Sequence, residues 1–509
     1  MNTFFRRTVY IILLVILVFQ VGCTSPERQN ITATFVSPTG VSFSPTQATE
    51  TVPAAQTLSP VATVTLINPE LETNTPAPTI QNTTPAQQGI GFGAFLDVQI
   101  PDKGMALMAA AGLNWDHIPF YWSTVEPQAG QINWGWVHGF ENELLAANEH
   151  HINNIIYVND TPYWALKPGY SCGAVAQDKF ADMAHFLTEM VKRYSVAPFN
   201  VKYFELWSEP DVSGFLGCWG DPKDPKYYGG GYYGEMLKVA YPAIKAANPQ
   251  AQVLFGGLLM GCHPDHIEYC VGDVAVNSSI AHFFEGALVD GAGPYFDGIS
   301  FHAYDYYGLG LGQYSNSNWG SAWNTTGPVA LVKAAYLRSL LAKYNLTDKY
   351  LMDTELALLC GRTGQEGPCV TEAHATTLSG YLVQSYAAGL ADGLSTMIWF
   401  SAAGWRGTAL LDPWLNPLPG YKAYQFTSER LSNATYVKPI TGFSGIHGYE
   451  FSRDGNRIWV LWSVTSNNNS QTINLSQMPL AVYDMYGSLL PVGMLANVGL
   501  QPIFIEFSA

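Results

Sequence analysis

Basic residues are scarce in this chain of 509 residues, which has 24 Lys and Arg against 40 Asp and Glu and a formal net charge of −16. Because phosphate backbones are bound through basic patches, this composition argues against nucleic acid as a partner. No Gly-rich phosphate loop follows any predicted strand, and no group of His, Asp, Glu or Cys has metal-ligand spacing. We therefore expect neither a cofactor nor a metal.

A long apolar run is also missing at the N-terminus, where Val9–Phe19 is too short for a comfortable membrane span. Arg6 and Arg7 precede this run, and a short segment ending in Cys23 follows it. The arrangement indicates an export signal and resembles a bacterial lipoprotein cleavage box. We predict a signal peptide over residues 1–23, with lipidation at Cys23 as an anchor on the extracellular face of a bacterial membrane. An uncleaved anchor and ordinary secretion are the alternatives.

Cysteine is infrequent, with seven residues in the whole chain. Once Cys23 is set aside, an even number remains, and an even number in an exported chain indicates disulfides. We predict three bridges, which are Cys172–Cys218, Cys262–Cys270 and Cys360–Cys369. The first would join two separate loops, and the other two would close short ones.

The texture of the sequence changes twice along the chain. Residues 24–87 are dominated by Thr, Ser, Pro, Ala and Gln with little charge, which predicts a disordered linker. Residues 88–430 alternate short apolar runs with amphipathic helical stretches. From residue 431 to 509 the helical texture stops, and alternating runs joined by turns such as Asp454-Gly455 predict an all-β, sandwich-like domain.

Eight predicted strands alternate with helices in the central region, and they cover residues 89–98, 114–121, 152–158, 201–207, 251–257, 296–304, 349–356 and 395–401. The clearest predicted helices cover residues 100–111, 136–150, 178–194, 232–247, 328–344 and 371–388. This alternation is typical of an α/β (β/α)8 TIM barrel. A doubly wound open sheet is the alternative, which the missing phosphate loop disfavours.

Two acidic residues stand at the carboxyl ends of predicted barrel strands, where barrel active sites lie. Glu209 follows the fourth strand, and Glu355 ends the seventh. Hydrolysis of a glycosidic bond needs two carboxyl groups, one to protonate the leaving oxygen and one to attack the anomeric carbon. Because these strands face each other across a barrel mouth, we predict that both glutamates meet over one sugar.

The segments that carry these acids resemble a clan of retaining glycoside hydrolases, with family 39 closest in pattern. FELWSEPD is similar to the clan's acid/base motif and LMDTEL to its nucleophile strand. Supporting similarity covers most of the barrel, from Gly89 to about Phe426, and lies in FYWSTVEPQAGQINW, FDGISFHAY, MIWFSAAG and LLDPWLNPLPGYKAYQF. The resemblance implies a glycosidase that hydrolyses O-glycosidic bonds of poly- or oligosaccharides by double displacement, with Glu209 as the acid/base and Glu355 as the nucleophile.

The resemblance also implies supporting roles for residues around the two acids. His302 and Tyr304 share one strand face, and Tyr304 would donate to Glu355. Trp399 would form the floor of the sugar site, and Trp164 is a further candidate for sugar contact. Weaker candidates for outer sugar positions are Trp122, Trp219 and Trp405. We read Glu205 and Asp353 as paired structural acids deeper in the barrel.

Two positions depart from the clan's pattern. Ser208 stands where an Asn usually donates to the sugar 2-hydroxyl, and His117 stands near a position often occupied by Arg. We expect Ser208 and His117 to contact the substrate or the nucleophile in their place. These departures support a second hypothesis, in which the protein is a weakly active or inactive carbohydrate-binding surface lipoprotein. A structural or adhesive lipoprotein is a third, which the paired acids disfavour.

Overall fold

The central region consists of strands that are each followed by at least one helix. The strands are β1 (Gly91–Ala94), β2 (Trp115–Tyr121), β3 (Asn153–Asn159), β4 (Tyr203–Ser208), β5 (Gln252–Leu258), β6 (Gly298–Tyr307), β7 (Trp319–Gly320), β8 (Tyr350–Cys360) and β9 (Thr396–Trp399). The helices are α1 (Asp102–Ala110), α2 (Trp122–Val125), α3 (His138–Glu149), α4 (Phe180–Tyr194), α5 (Gly230–Ala247), α6 (Phe283–Val289), α7 (Val329–Lys343), α8 (Glu372–Asp392) and α9 (Pro419–Leu431). These bounds match the predicted ranges to within a few residues, and α2, α6, α9 and β7 are not among those ranges.

This computed structural model describes residues 90–96, 102–214, 217–261, 263–264, 279–307, 319–320, 323, 327–361, 369–464 and 470–508. The predicted signal peptide, the predicted lipidation site Cys23 and the predicted linker up to residue 87 lie outside these residues. Among the described residues, no helix combines the length and the apolar character needed to cross a membrane.

Eight of the strands close into a barrel. Seven parallel pairings run in the order β5-β4-β3-β2-β1-β9-β8-β6, and an eighth pairing between β5 and β6 closes the ring. The short β7 extends β6 as an antiparallel partner. The predicted (β/α)8 barrel is therefore confirmed, and the alternative of an open sheet is wrong because the first and last strands, β1 and β9, are hydrogen-bonded to each other.

Helix α4 shows why the sequence folds in this way. Its buried side chains recur at intervals of three and four residues, so they form one apolar stripe against the sheet; they are Phe180, Met183, Phe186, Leu187, Met190, Val191 and Tyr194. Lys192 and Arg193 lie in the last turn, where positive charge is favourable to the helix dipole.

The interior of the barrel has two different layers. An apolar cluster of Ile155, Leu254, Met352 and Ile398, taken from four barrel strands, is separate from the core between the sheet and the helices. Toward the carboxyl ends of the strands, the buried side chains become polar and charged. This change places a layer of ionisable groups directly above an apolar plug.

The C-terminal region contains two antiparallel sheets. The larger has the order β10 (Thr435–Pro439), β11 (Ile446–Arg453), β12 (Asn456–Ser463), β16 (Ile503–Ser508) and β14 (Ala481–Asp484), and the smaller pairs β13 (Gln471–Asn474) with β15 (Leu495–Val498). The predicted turn at Asp454-Gly455 is present, with positive φ angles of 49° and 77°. A shared apolar cluster from both sheets agrees with the predicted sandwich-like arrangement.

The C-terminal sheets contact the barrel through α8 and α9. Gln384 donates to the Leu500 carbonyl over 3.3 Å, and Arg430 forms a 3.0 Å ion pair with Glu506. Phe426 lies 5.1 Å from Phe504, centroid to centroid. Since one continuous core includes residues of both parts, the separation into two domains near residue 431 stays a prediction.

Two of the three predicted disulfides lie in the described residues. Cys172–Cys218 and Cys360–Cys369 are both formed. The third prediction, Cys262–Cys270, falls outside the described residues. The bridge from Cys172 to Cys218 ties the loop after β3 to the loop after β4, and so it lies at the same end of the barrel as the charged layer.

Candidate active site

Glu209 and Glu355 lie together at the mouth of the barrel. Glu209 follows β4, Glu355 lies within β8, and their residues are 6% and 7% exposed. A carboxylate oxygen of each glutamate and a ring nitrogen of His302 all lie within 4.8 Å of one another. Two acids that are remote in sequence thus share one cluster with an imidazole between them.

The backbone around Glu209 adopts an unusual conformation. Trp207 and Glu209 have positive φ angles of 63° and 51°, and non-glycine residues rarely adopt such angles outside functional sites. The Glu209 amide donates to the Gly257 carbonyl over 2.7 Å, which ties it to β5. On the other side, a Cβ at Gly217 would lie only 2.3 Å from the Ser208 carbonyl oxygen. Tight packing therefore holds Glu209 in place.

His302 contacts both glutamates through the same nitrogen. Its Nδ1 lies 2.9 Å from Glu209 Oε1 and 3.4 Å from Glu355 Oε2. Burial lowers the pKa of His302, which favours the neutral imidazole. Two residues further along β6, the Tyr304 hydroxyl donates to Glu355 Oε2. The structure thus brings both predicted β6 residues to the acids.

His117 provides a second imidazole on the far side of Glu355. Its Nε2 lies 3.2 Å from Glu205 Oε2, and its Nδ1 lies 3.9 Å from Glu355 Oε1. Burial by itself would lower the pKa of His117, but Glu205, Glu355 and Asp116 outweigh it and raise the pKa. The geometry places this imidazole near Glu355, at charge–charge distance rather than in a hydrogen bond.

The pKa values of both glutamates are raised. Burial raises the pKa of Glu209 to about 7, with Lys333 acting in the opposite direction and Glu205 adding to the rise. Burial also raises the pKa of Glu355, where His302, His117 and the Tyr304 hydroxyl oppose the effect and Glu209 adds to it. Such a pair retains a proton near neutral pH, which acid catalysis requires.

Lys333 is a buried site residue that the sequence analysis missed. It belongs to α7, is 4% exposed, and donates from Nζ to the carbonyls of Leu259 over 2.6 Å and His302 over 2.7 Å. Burial lowers the pKa of Lys333 to about 8, although Asp353 and Asp211 oppose this. One sequence signal was present, because Lys333 lies four residues from both Val329 and Leu337 on the buried helix face.

Glu205 and Asp353 lie deeper in the barrel, and each has a different basic neighbour. Glu205 binds His117, as described above, and its Oε1 accepts from the Gly257 amide over 3.1 Å. Asp353 instead interacts with Lys333, and burial raises its pKa well above the ordinary value. Both acids are fully buried, so each supports the site from below through a different cation.

The remaining predicted contact residues lie at different depths. Ser208 is buried at the end of β4, where its register partner in the neighbouring strand β5 is Gly257. Trp164 is half-buried and donates to the Glu126 carbonyl over 2.9 Å. Trp399 is fully buried and donates to the Thr408 carbonyl over 2.8 Å, so its ring has no exposed face for a sugar. Of the weaker candidates, Trp122 and Trp219 are buried and Trp405 is exposed.

Two clusters in the described part of the chain bring three metal-capable side chains within reach of one another. One is the trio of Glu209, His302 and Glu355, and the other consists of Cys360, Cys369 and His374. The sulfurs of the second cluster are bonded to each other. The expectation that the protein needs no metal stays a prediction.

Comparisons with known proteins give the fold a context. No family model matches the sequence, and a search of curated proteins gives no match. A solved family 39 glycoside hydrolase from Bacteroides cellulosilyticus is 19% identical with a TM-score of 0.62, and the match covers 82% of this chain and 81% of that one. A family 30 endoxylanase from Clostridium papyrosolvens is 13% identical with a TM-score of 0.54, covering 83% and 96%. A conserved exported protein from Bacteroides fragilis is 13% identical with a TM-score of 0.57, covering 82% and 97%.

The structural neighbours of this fold therefore include glycoside hydrolases of families 39 and 30, all with low sequence identity. This likeness establishes a shared barrel architecture. The function of this chain depends on the geometry and chemistry of its own site.

Proposed function

We propose that this protein is a retaining glycoside hydrolase in which Glu209 is the acid/base and Glu355 the nucleophile. The observation that carries the proposal is the approach of their carboxylate oxygens within 4.8 Å, with His302 between them. Carboxyl groups about 5–5.5 Å apart support a covalent intermediate, whereas inversion needs about 6.5–9.5 Å to admit a water. The short separation therefore favours retention.

In the first step, an ionised Glu355 oxygen attacks the anomeric carbon. Glu209 transfers its proton to the glycosidic oxygen as the bond to that oxygen breaks, and the leaving group departs as an alcohol. The Tyr304 hydroxyl holds Glu355 Oε2, and the nearby His117 favours the ionised nucleophile through its positive charge. The raised pKa of Glu209 keeps its proton available near neutral pH.

In the second step, water attacks the anomeric carbon of the glycosyl ester on Glu355. Glu209 is now ionised and accepts a proton from this water, the ester bond breaks, and Glu355 is released as a carboxylate. Since the ester has removed the negative charge at Glu355, no repulsion between two carboxylates opposes the ionised form of Glu209. No further group is required to balance either step.

Several supporting assignments belong to the same proposal. Ser208 and His117 serve where the clan uses Asn and Arg, and Trp164 contacts the sugar. The protein acts outside the cytoplasm, anchored through Cys23, which agrees with the disulfides in the described residues. The substrate is carbohydrate.

The test uses activated 2-deoxy-2-fluoro glycosides of several neutral sugars, which trap a glycosyl ester. We expect intact mass spectrometry to find one added sugar, and peptide mapping to place it on Glu355. Glu355→Gln abolishes labelling and turnover, and Glu209→Gln abolishes turnover of unactivated substrates. Glu149→Gln, at an exposed position ending α3, is the matched control with full activity.

Two results would count against the assignment. Turnover by Glu355→Gln would show that the nucleophile is elsewhere. Binding without labelling or turnover across a broad panel of aryl glycosides and polysaccharides would favour the inactive sugar-binding protein instead.

A further inference from the structure

Exposed aromatic side chains are distributed unevenly over the described part of the protein. Five Phe, Tyr or Trp residues are exposed, and they are Tyr121 (47%), Trp136 (58%), Tyr163 (91%), Trp405 (46%) and Trp414 (80%). Each lies at the end of a barrel strand or in the segment leading to the next helix. The described faces of the helices and of the C-terminal sheets expose aliphatic side chains but no aromatic ring. We call these five residues the aromatic arc.

The aromatic arc occupies one continuous half of the barrel mouth. Its residues follow β2, β3 and β9, and the ring order β4-β3-β2-β1-β9-β8 makes these strands near neighbours. The strands that flank this half are β4 and β8, which carry Glu209 and Glu355. The arc therefore runs from one acid to the other around the same side of the mouth.

A chain of ring contacts joins Glu355 to the arc. Tyr304, which donates to Glu355, lies 6.1 Å from Trp405 and 6.2 Å from Phe400 between ring centroids. Phe400 is in turn 4.8 Å from Phe95 at the end of β1. These half-buried rings extend the site outward from Glu355 to the exposed Trp405 ring.

The extent of the arc exceeds one sugar ring. Adjacent strands lie about 4.8 Å apart, so the three gaps between β9, β1, β2 and β3 give the barrel mouth a length of at least ~14 Å along the aromatic arc. Exposed rings at the rim of the barrel mouth offer surfaces to a sugar chain, because aromatic faces stack on the apolar C–H faces of sugars while hydroxyl groups stay hydrated.

Charge indicates the kind of sugar chain. The formal net charge of the protein is −16, and the acids beside the arc repel anionic sugars. Arg406 stacks over Trp405 at 5.3 Å, but its guanidinium also donates to the Gly361 carbonyl. These features favour an uncharged ligand.

We propose that the aromatic arc binds a neutral glycan chain of several units, so that the substrate is a polysaccharide or long oligosaccharide rather than a simple glycoside. This inference rests on the proposed glycosidase for its catalytic meaning, and binding can be tested by itself. Absence of binding in every oligosaccharide series would overturn the proposal and favour a protein partner on the exposed rings.

The experiment measures binding by isothermal titration to the full chain carrying Glu355→Gln. The probes are xylo-, cello-, manno- and arabino-oligosaccharides of two to six units, with oligogalacturonides as the charged comparison. We expect affinity to rise with chain length in at least one neutral series. Tyr163→Ala and Trp405→Ala should each weaken hexamer binding roughly fivefold, and the double variant should lose most of the length dependence.

Leu489→Ala, at an exposed apolar position of the C-terminal region that is 71% exposed, is the control that keeps wild-type binding. Thermal melts followed by circular dichroism exclude unfolding of the arc variants. Length-independent binding in every neutral series, or tighter binding of the charged series, would overturn the inference.

Failure of the inference is distinguishable from failure of the proposed function. Fluoro-sugar labelling of Glu355 in the unmutated chain, together with length-independent binding, refutes only the proposal that the aromatic arc binds a glycan chain. Length-dependent binding without any labelling or turnover supports the arc and refutes the glycosidase.

Discussion

The Nζ of Lys333 lies 2.7 Å from the backbone carbonyl oxygen of His302, whose imidazole faces both site glutamates. The same Nζ reaches the Leu259 carbonyl after β5. A single buried cation thus joins the ends of β5 and β6 and adds positive charge beneath the acids. Lys333 therefore acts as a positioning residue, since it works through His302.

We predict that Lys333→Met destabilises the fold and shifts the pH profile. Removing one partner of a buried charge network costs roughly 3 kcal/mol, which urea unfolding would measure. The positive charge of Lys333 holds down the pKa of Glu209, so its loss raises that pKa and moves the alkaline limb of kcat/KM to higher pH.

Lys343→Met provides the matched control on the same helix. Lys343 is exposed and forms an ion pair with Glu285, so its loss should leave the pH profile unchanged. Lys333→Arg keeps the positive charge and Lys333→Met removes it. If both variants kept the wild-type alkaline limb, the charge of Lys333 would not act on the pKa of Glu209.

The raised pKa of Glu209 predicts a pH-dependent gain in stability for Glu209→Gln. Glutamate loses its proton near pH 4.5 in the unfolded chain, but near 7 in the fold. The folded state therefore binds more protons between these values, and its stability falls as pH rises through that window. Gln mimics the protonated form and escapes this loss.

Chemical unfolding at pH 4 and pH 8 checks this prediction. The two proteins should be nearly equal at pH 4, and the variant should be more stable at pH 8 by at most roughly 3 kcal/mol. Glu149→Gln should show no such pH dependence. A variant that is less stable than the wild type only at pH 8 contradicts the raised pKa.

His117→Gln tests whether a cation near Glu355 matters. The pKa of His117 is raised by its acidic neighbours, and its charge lowers the pKa of Glu355. Replacing it with a neutral side chain raises the pKa of Glu355, so the acid limb of kcat/KM should move to higher pH. His138→Gln, at an exposed position, serves as the control. If the acid limb of His117→Gln does not move, the charge of His117 does not act on Glu355.

Gly217→Ala tests the packing that holds Glu209. The added Cβ would meet the carbonyl oxygens of Ser208 and Glu209, which cannot yield without moving Glu209. We expect kcat to fall on the order of 100-fold, because small displacements of catalytic groups have large effects. Gly139→Ala, in α3 with open space around it, should keep full kcat, and equal kcat for both variants would contradict the packing argument.

The order of strands and helices was readable from the sequence because burial imposes a period on side chains. In α4, the spacing of Phe180, Phe186 and Met190 predicts a helix with one apolar face. Strand β10 was missed because it is almost wholly exposed and shows no alternation, and β15 was missed because its regular alternation covers only four residues. Short, partly exposed strands gain their pairing from neighbours rather than from their own composition.

The sequence by itself determined which acids end the fourth and seventh barrel strands, since strand position follows from local pattern. Only the tertiary structure decided what surrounds them. Lys333 reaches the site from a helix outside the barrel, Glu205 pairs with His117, and Trp399 turns inward. Each of these outcomes depends on distances between segments remote in the chain, and local periodicity carries no information about such distances.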